Sequence, residues 1–149
     1  MTPKQHLIQL AMERKQAKNP NFPYPPKPKY TDTTANGLTK MIIDFINLSG
    51  GQAERISNTG RVVIEKGVKD QVFNRSFASV KWIPGQGTNG TADIRAVIKG
   101  RSVSIEVKIG RDRMSTAQHE YKARVEAAGG IYLIAKNFND IYKDLLPLL

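Results

Sequence analysis

Apolar residues recur along this chain with two periods, and the change from one to the other marks out its elements. Leu38, Met41, Ile42, Phe45 and Ile46 stand at offsets 0, 3, 4, 7 and 8, the stripe of a helix with one buried side. Thr39, Lys40 and Asn47 form its polar side, and Gly50-Gly51 ends it. "AERIS" and "RVVIE" read as short strands on either side of the "NTG" turn at 58–60, and "FASVKWI" at 77–83 as another. A glycine-rich loop, "PGQGTNGTA" at 84–92, precedes a long alternating stretch, "TADIRAVIKGRSVSIEVK", that predicts a hairpin. Next come a helix opening at Ser115, a wholly apolar strand "IYLIA" at 131–135, and a closing helix from about Asn137. No internal repeat is visible. The pattern predicts an α/β domain with a mixed central sheet flanked by helices.

The first thirty residues read differently. They hold six of the eight prolines, and "NPNFPYPPKPKY" at 19–30 cannot continue a helix or enter a central strand, because proline lacks the N–H both require. Thr2 and Pro3 can open a short helix that carries Leu7, Ile8 and Ala11 on one side and ends near Asn19. Residues 1–30 are therefore expected to form a basic, proline-rich arm, and 31–149 the domain proper. The arm is either a loosely attached tail or a segment that touches nucleic acid or a second subunit.

The hairpin carries the candidate chemistry. A two-residue turn at Gly100-Arg101, glycine first, sets Ile94 opposite Val107, Ala96 opposite Ile105 and Ile98 opposite Val103. These six apolar residues share one side of the sheet. On the other side, Asp93, Arg95 and Val97 face Lys108, Glu106 and Ser104. Side chains two apart on a strand are roughly 6.5 Å apart, and opposed Cβ atoms about 5 Å, so Asp93, Glu106 and Lys108 converge. Two carboxylates, with the Val107 carbonyl, suit Mg²⁺. Bound there, the ion would polarise a phosphodiester oxygen and acidify a water, while Lys108 positions that water or offsets charge on the phosphate. The bland alternative is a solvated Glu-x-Lys pair on the wet side of a strand. In the following helix, "MSTAQHEYKARVEAAGG", Ser115 and Gln118 have the spacing of a capping box, and Ala117, Tyr121, Val125 and Ala128 form the apolar stripe. Gln118 is a helix cap on this reading, and it also lies where its amide can reach the site.

Charge narrows the partners. Lys and Arg outnumber Asp and Glu by 23 to 13, a formal balance of +10 that attracts polyanions, nucleic acid first. The absence of cysteine excludes disulfides, thiolate catalysis and the common zinc sites, and His6 and His119 are too few for a histidine metal centre. Neither a signal-peptide run nor a span of ~20 apolar residues occurs, so an intracellular, cytoplasmic protein without a membrane partner is expected.

Taken in order, Gly90-Thr91-Ala92-Asp93-Ile94, Ile105-Glu106-Val107-Lys108 and Met114-Ser115-Thr116-Ala117-Gln118 resemble the motifs of the PD-(D/E)XK nuclease superfamily. The match runs from about residue 34 to 136. It is most similar to the VRR-NUC branch, which is related to Holliday-junction resolvases and common in phage genomes. The resemblance implies a restriction-endonuclease-like core, αβββαβ. It also implies a Mg²⁺-dependent DNA endonuclease acting on structured substrates, with Mn²⁺ as a substitute, RNA as a further possible substrate, and a homodimeric assembly. Asp93 and Glu106 would bind metal, joined by Val107; Lys108 would be the catalytic lysine and Gln118 the auxiliary residue of the next helix. Arg55 matches a basic position after the first helix, and Arg95, Arg111 and Arg113 are the further candidates for contacting nucleic acid. Two departures stand out. Ala92 replaces the usual proline, and "TANGLTKM" lacks the glutamate that relatives often carry on the first helix. Asp44 is the only acid on that helix, with Glu54 and Glu65 as alternatives. A catalytically degenerate nucleic-acid-binding protein of the same fold is the second expectation.

Overall fold

The computed structural model describes residues 1–57, 61–65, 67, 72, 79–83, 85 and 87–149. They divide into two compact units, Met1–Ile56 with Gly90–Leu149, and Ser57–Asn89. The division therefore falls elsewhere than at residue 30.

The larger unit is mixed α/β. In chain order it runs α1 (Pro3–Lys18), α2 (Ala35–Leu48), β1 (Gln52–Arg55), β4 (Ile94–Ile98), β5 (Arg101–Val107), α3 (Thr116–Ala127), β6 (Ile131–Ala135) and α4 (Phe138–Leu145). Its four strands lie in the order β1-β4-β5-β6; β1, β4 and β5 are antiparallel neighbours, and β6 runs parallel to β5. A parallel neighbour needs a crossover, and α3 supplies it. The smaller unit holds β2 (Arg61–Glu65) and β3 (Ser79–Ile83), an antiparallel pair. "AERIS" and "RVVIE" are thus strands that pair with different partners, β4 and β3 respectively, and the "NTG" turn lies outside the described residues. Val62 opposes Trp82 and Ile64 opposes Val80, and all four are exposed.

One face of the four-stranded sheet is the core. Ala53, Ile94, Ala96, Ile98, Val103, Ile105 and Val107 point to it, and Leu38, Met41, Ile42, Phe45 and Ile46 of α2 cover it as their spacing predicts. Thr39 departs from the expected polar side: it is buried, its hydroxyl donating to the Ala35 carbonyl at 2.8 Å. Asn47 holds α2 to the edge strand. Its Oδ1 accepts from Ala53 N–H at 2.7 Å and its Nδ2 donates to the Ala53 carbonyl at 3.1 Å, which satisfies outward-facing groups that a bare edge would leave open.

The N-terminal helix forms as predicted, with Thr2 in a capping box with Gln5 and Asn19 as C-cap, but it is no loose tail. Leu7 and Ala11 are buried in the same core, and His6 Nδ1 meets the Tyr142 hydroxyl at 2.8 Å between the rings of Phe45 and Tyr142. An apolar pair facing an uncovered side of α2 and α4 has more to gain by docking than by staying wet, at about 1.5–3 kcal/mol for a fully buried Leu. No helix among the described residues is long and apolar enough to cross a membrane.

Leu7→Ala should cost about 2–5 kcal/mol in urea unfolding and remove α1 protection in hydrogen exchange; a loss below 0.5 kcal/mol, about what a surface substitution gives, would show that α1 is not part of the core.

Candidate active site

The hairpin turn fixes everything around the site. It is Lys99-Gly100, with φ of 46° and 77°, rather than Gly100-Arg101. Two positive φ values make a type I′ turn, whose twist suits the flanking strands. Partners are therefore shifted by two residues from the expected register: Ile94 faces Ile105, Ala96 faces Val103 and Ile98 faces Arg101. A shift of two leaves every side chain on its original face, which is why the apolar pattern fits both registers. Arg95 now opposes Ser104, and the register carried one step further sets Asp93 across from Glu106 rather than Lys108.

The shift also carries the end of β5 past the start of β4. The Val107 N–H, left without a strand partner there, donates to Asp93 Oδ2 at 2.9 Å, while the Asp93 carbonyl accepts from Ile56 N–H at 2.8 Å. Asp93 is thereby held from both sides.

Glu106 and Lys108 are not on a wet face. Glu106 is 2% exposed and Lys108 8%. β5 is an interior strand, and α3 lies over this side of it, so the residues that alternation points away from the core are buried too. Lys108 Nζ lies 3.1 Å from Glu106 Oε1 and 3.5 Å from Asp112 Oδ2. Gln118 Nε2 donates to Glu106 Oε1 at 2.5 Å, and its Oε1 accepts from Ser115 N–H at 2.9 Å. The cap and the site contact thus use opposite ends of one amide. Glu106 Oε2 is buried and has no hydrogen-bond partner.

Burial, then the Asp93 charge, push the Glu106 carboxyl above its ordinary range against the opposing pull of Lys108. Burial alone would lower the Lys108 ammonium, but the hydrogen bond and charge of Glu106, with Asp112, outweigh it and hold the lysine charged.

Two participants, Tyr132 and Asp112, had no role in the sequence reading, and Gly90 stood there only as part of a motif. Tyr132, in the strand read as wholly apolar, is buried with its hydroxyl beside the Glu106 carboxyl but without a hydrogen bond of good geometry; burial, then the Glu106 and Asp93 charges, push its pKa up. Its signal was the single polar atom in "IYLIA", since a buried tyrosine hydroxyl ordinarily finds a partner. Asp112 reaches Lys108 from the loop after β5, and nothing in its spacing marks it. Gly90 has φ +79°, and a Cβ there would overlap the Ala117 carbonyl, so the loop backbone packs on the first turn of α3.

The other candidates scatter. Arg95 is exposed on the same face as Glu106 and opposes Glu54 on β1. Arg111 and Arg113 are exposed on the loop between β5 and α3. Arg55 shares the alternation of Ala53 and so projects from the opposite face, away from Asp93. Of the candidate extra acids, Asp44 is engaged by the Tyr30 hydroxyl at 2.9 Å and Lys40 at 2.5 Å, Glu54 is exposed beside Arg95, and the Glu65 side chain lies outside the described residues.

A divalent cation fits the chemistry of the donors. Glu106 Oε2 is a buried anionic oxygen without a partner, and Asp93 is a second carboxylate close enough to raise Glu106. Among the described residues no three His, Cys, Asp or Glu side chains converge. A scan against protein-family models and a search of curated proteins both find no match to the chain.

The raised pKa of Glu106 has a definite sign for stability. Between the ordinary value of 4.5 and the folded value, the folded state holds more protons than the unfolded chain. Without divalent metal, the Glu106 contribution is therefore fully present below the ordinary value and lost as pH rises through the folded one. Melting temperatures of wild type and Glu106→Gln, compared in chelator across this range, should show the wild type losing ground as pH rises; a pH-independent difference would refute it. Gly90→Ala should cost more than about 1 kcal/mol in urea unfolding, beyond the usual benefit of removing a glycine from the unfolded chain.

Proposed function

We propose that this chain is a metal-dependent nuclease that hydrolyses phosphodiester bonds in DNA. We assign it to the PD-(D/E)XK type, nearest the VRR-NUC branch, and to a structure-selective endonuclease activity. The observation that carries the reading is the unpartnered, buried Oε2 of Glu106, set beside Asp93, Lys108 and Gln118. The element order α2-β1-β4-β5-α3-β6 supports it, being the αβββαβ order of that core.

A bound Mg²⁺ would supply Lewis-acid activation of the phosphate and a more acidic water. Asp93 and Glu106 would hold it through carboxylate oxygens, with the Val107 carbonyl as a further candidate donor. Lys108, kept charged by its acidic neighbours, donates hydrogen bonds and offsets the negative charge that builds on the phosphate as the bond breaks. Its charge-stabilising role is the one the metal-free geometry supports. Gln118 keeps the Glu106 carboxylate turned so that Oε1 is occupied and Oε2 is left for the ion. Arg95, Arg111 and Arg113 supply cations for the flanking phosphates.

Asp44 is occupied by Tyr30 and Lys40 and gives this site no third carboxylate, which favours one second reading: a nucleic-acid-binding protein of this fold that does not cut. A labelled panel of four-way junction, flap, single strand and duplex, incubated with Mg²⁺, Mn²⁺ or EDTA, separates the two. Asp93→Asn and Lys108→Ala should each lower metal-dependent cleavage by about 10²-fold or more while still binding DNA. Asp93→Asn cutting at the wild-type rate would refute the nuclease reading, and salt-sensitive binding with no Mg²⁺ or Mn²⁺ uptake by calorimetry would establish the second.

A further inference from the structure

One cavity of the larger unit lies away from Asp93 and Glu106. It has a volume of about 610 Å³ and lies among α1, α2 and the proline-rich segment, with Arg14, Lys15, Lys18 and Lys40 around it and Asp44 as its one acid. Four cations against one anion leave an excess of three positive charges. The acid is already neutralised: Asp44 Oδ2 accepts from Lys40 at 2.5 Å and from the Tyr30 hydroxyl at 2.9 Å. Lys15 spans the gap to the proline-rich segment, its Nζ donating to the Pro26 carbonyl at 2.6 Å. Tyr30, at the end of the proline-rich segment, is buried as part of the wall. Arg14 and Lys18 have no ion-pair partner among the described residues, and both are exposed. Four residues apart on α1, they lie side by side on one helix face, about 6 Å apart at Cβ.

We propose that this cavity is a second contact for the phosphate backbone of the DNA, separate from the site that cuts it. The inference rests on the nuclease reading for the identity of the polyanion, but its own support is geometric. The cavity reaches Gln52 at the start of β1, whereas Asp93 lies beyond the other end of that strand, about 10 Å or more along it. It also lies on the α2 side of the sheet, the face opposite Glu106. Phosphates held here belong to a different stretch of nucleic acid from those at the metal site. Arg14, Lys18 and Lys40 are long, flexible side chains on exposed positions, which do not form a rigid cage around one small anion. This suits a backbone passing across it. The docking of α1 into the core then has a purpose beyond stability, because it fixes the row of cations relative to the sheet.

Fluorescence anisotropy of a labelled DNA duplex titrated with the full chain in EDTA, over a range of salt, tests this without requiring cleavage. Arg14→Gln with Lys18→Gln should weaken binding and reduce the slope of log Kobs against log salt by about 1.8, the value for two lost phosphate contacts. Wild-type affinity and slope in this variant, with the wild type binding DNA, would overturn the cavity and leave the nuclease reading intact. Absence of wild-type binding, together with absence of cleavage, would overturn both. Lys18 also sits in the last turn of α1, where a cation complements the helix dipole. A purely structural role would lower the melting temperature and leave the salt slope unchanged, which also overturns the proposal. So would loss of inorganic phosphate binding by calorimetry with the DNA slope unchanged, since the cavity would then be a small-anion site.

Discussion

Burying the Glu106 carboxylate in the middle of a sheet is the constraint on which the rest of the site depends. An ion taken out of water costs several kcal/mol unless its oxygens are met by charge and hydrogen bonds. Here one oxygen is met twice, by Lys108 and Gln118, while the other makes no hydrogen bond of good geometry, with the buried Tyr132 hydroxyl beside the carboxyl. The carboxyl responds with a raised pKa, so ionisation is carried at the expense of fold stability. A divalent cation at Oε2 would reverse that sign, because it binds only the ionised form. An incompletely satisfied buried acid is a weakness in a purely structural protein and an advantage in one that binds metal.

Each partner of Glu106 is delivered by a different element, so the site is assembled by the fold. Lys108 follows β5 and is tied to β6 by its N–H to the Ala135 carbonyl at 2.9 Å. Gln118 comes from the first turn of α3, and α3 has no fully buried residue of its own. That helix is placed by the contact of Gly90 with its first turn, by the edge-on packing of Tyr121 against Tyr132 with ring centres 6.3 Å apart, and by the Gln118 amide itself. Site and helix therefore support each other: loosening α3 frees Glu106, and removing Glu106 takes away one of the anchors of α3.

The two faces of the sheet divide the work. The apolar face is closed by α1, α2 and α4 and carries the stability of the unit. The other is only partly covered by α3, and its uncovered part, with Arg95 and the half-exposed Val97, stays open to solvent. An interior strand between a sealed face and a partly open one can hold its polar residues dry at one end and accessible nearby. That is what a site handling a charged, solvent-borne substrate requires.

Periodicity alone determined α2 and the apolar face of the β4–β5 hairpin, because a buried stripe leaves its spacing in the sequence however the rest of the chain is arranged, whereas α3, without a fully buried residue, was marked by its capping box. Asp93, Glu106, Lys108 and Gln118 were legible as a set for the same reason, since alternation and one capping box put them on one side. The register was not legible: pairings two residues apart bury the same six apolar side chains, and only the Lys99-Gly100 turn chooses between them. That choice moved Asp93 from Lys108 to Glu106. Burial of the charges was also beyond the sequence, because a polar alternation looks the same whether water or a helix covers it. The same holds for α1, whose two buried residues, Leu7 and Ala11, leave too faint a stripe to distinguish a docked helix from a tail. Tertiary structure decided these points because each depends on what lies across from a residue, and sequence spacing records only what lies beside it.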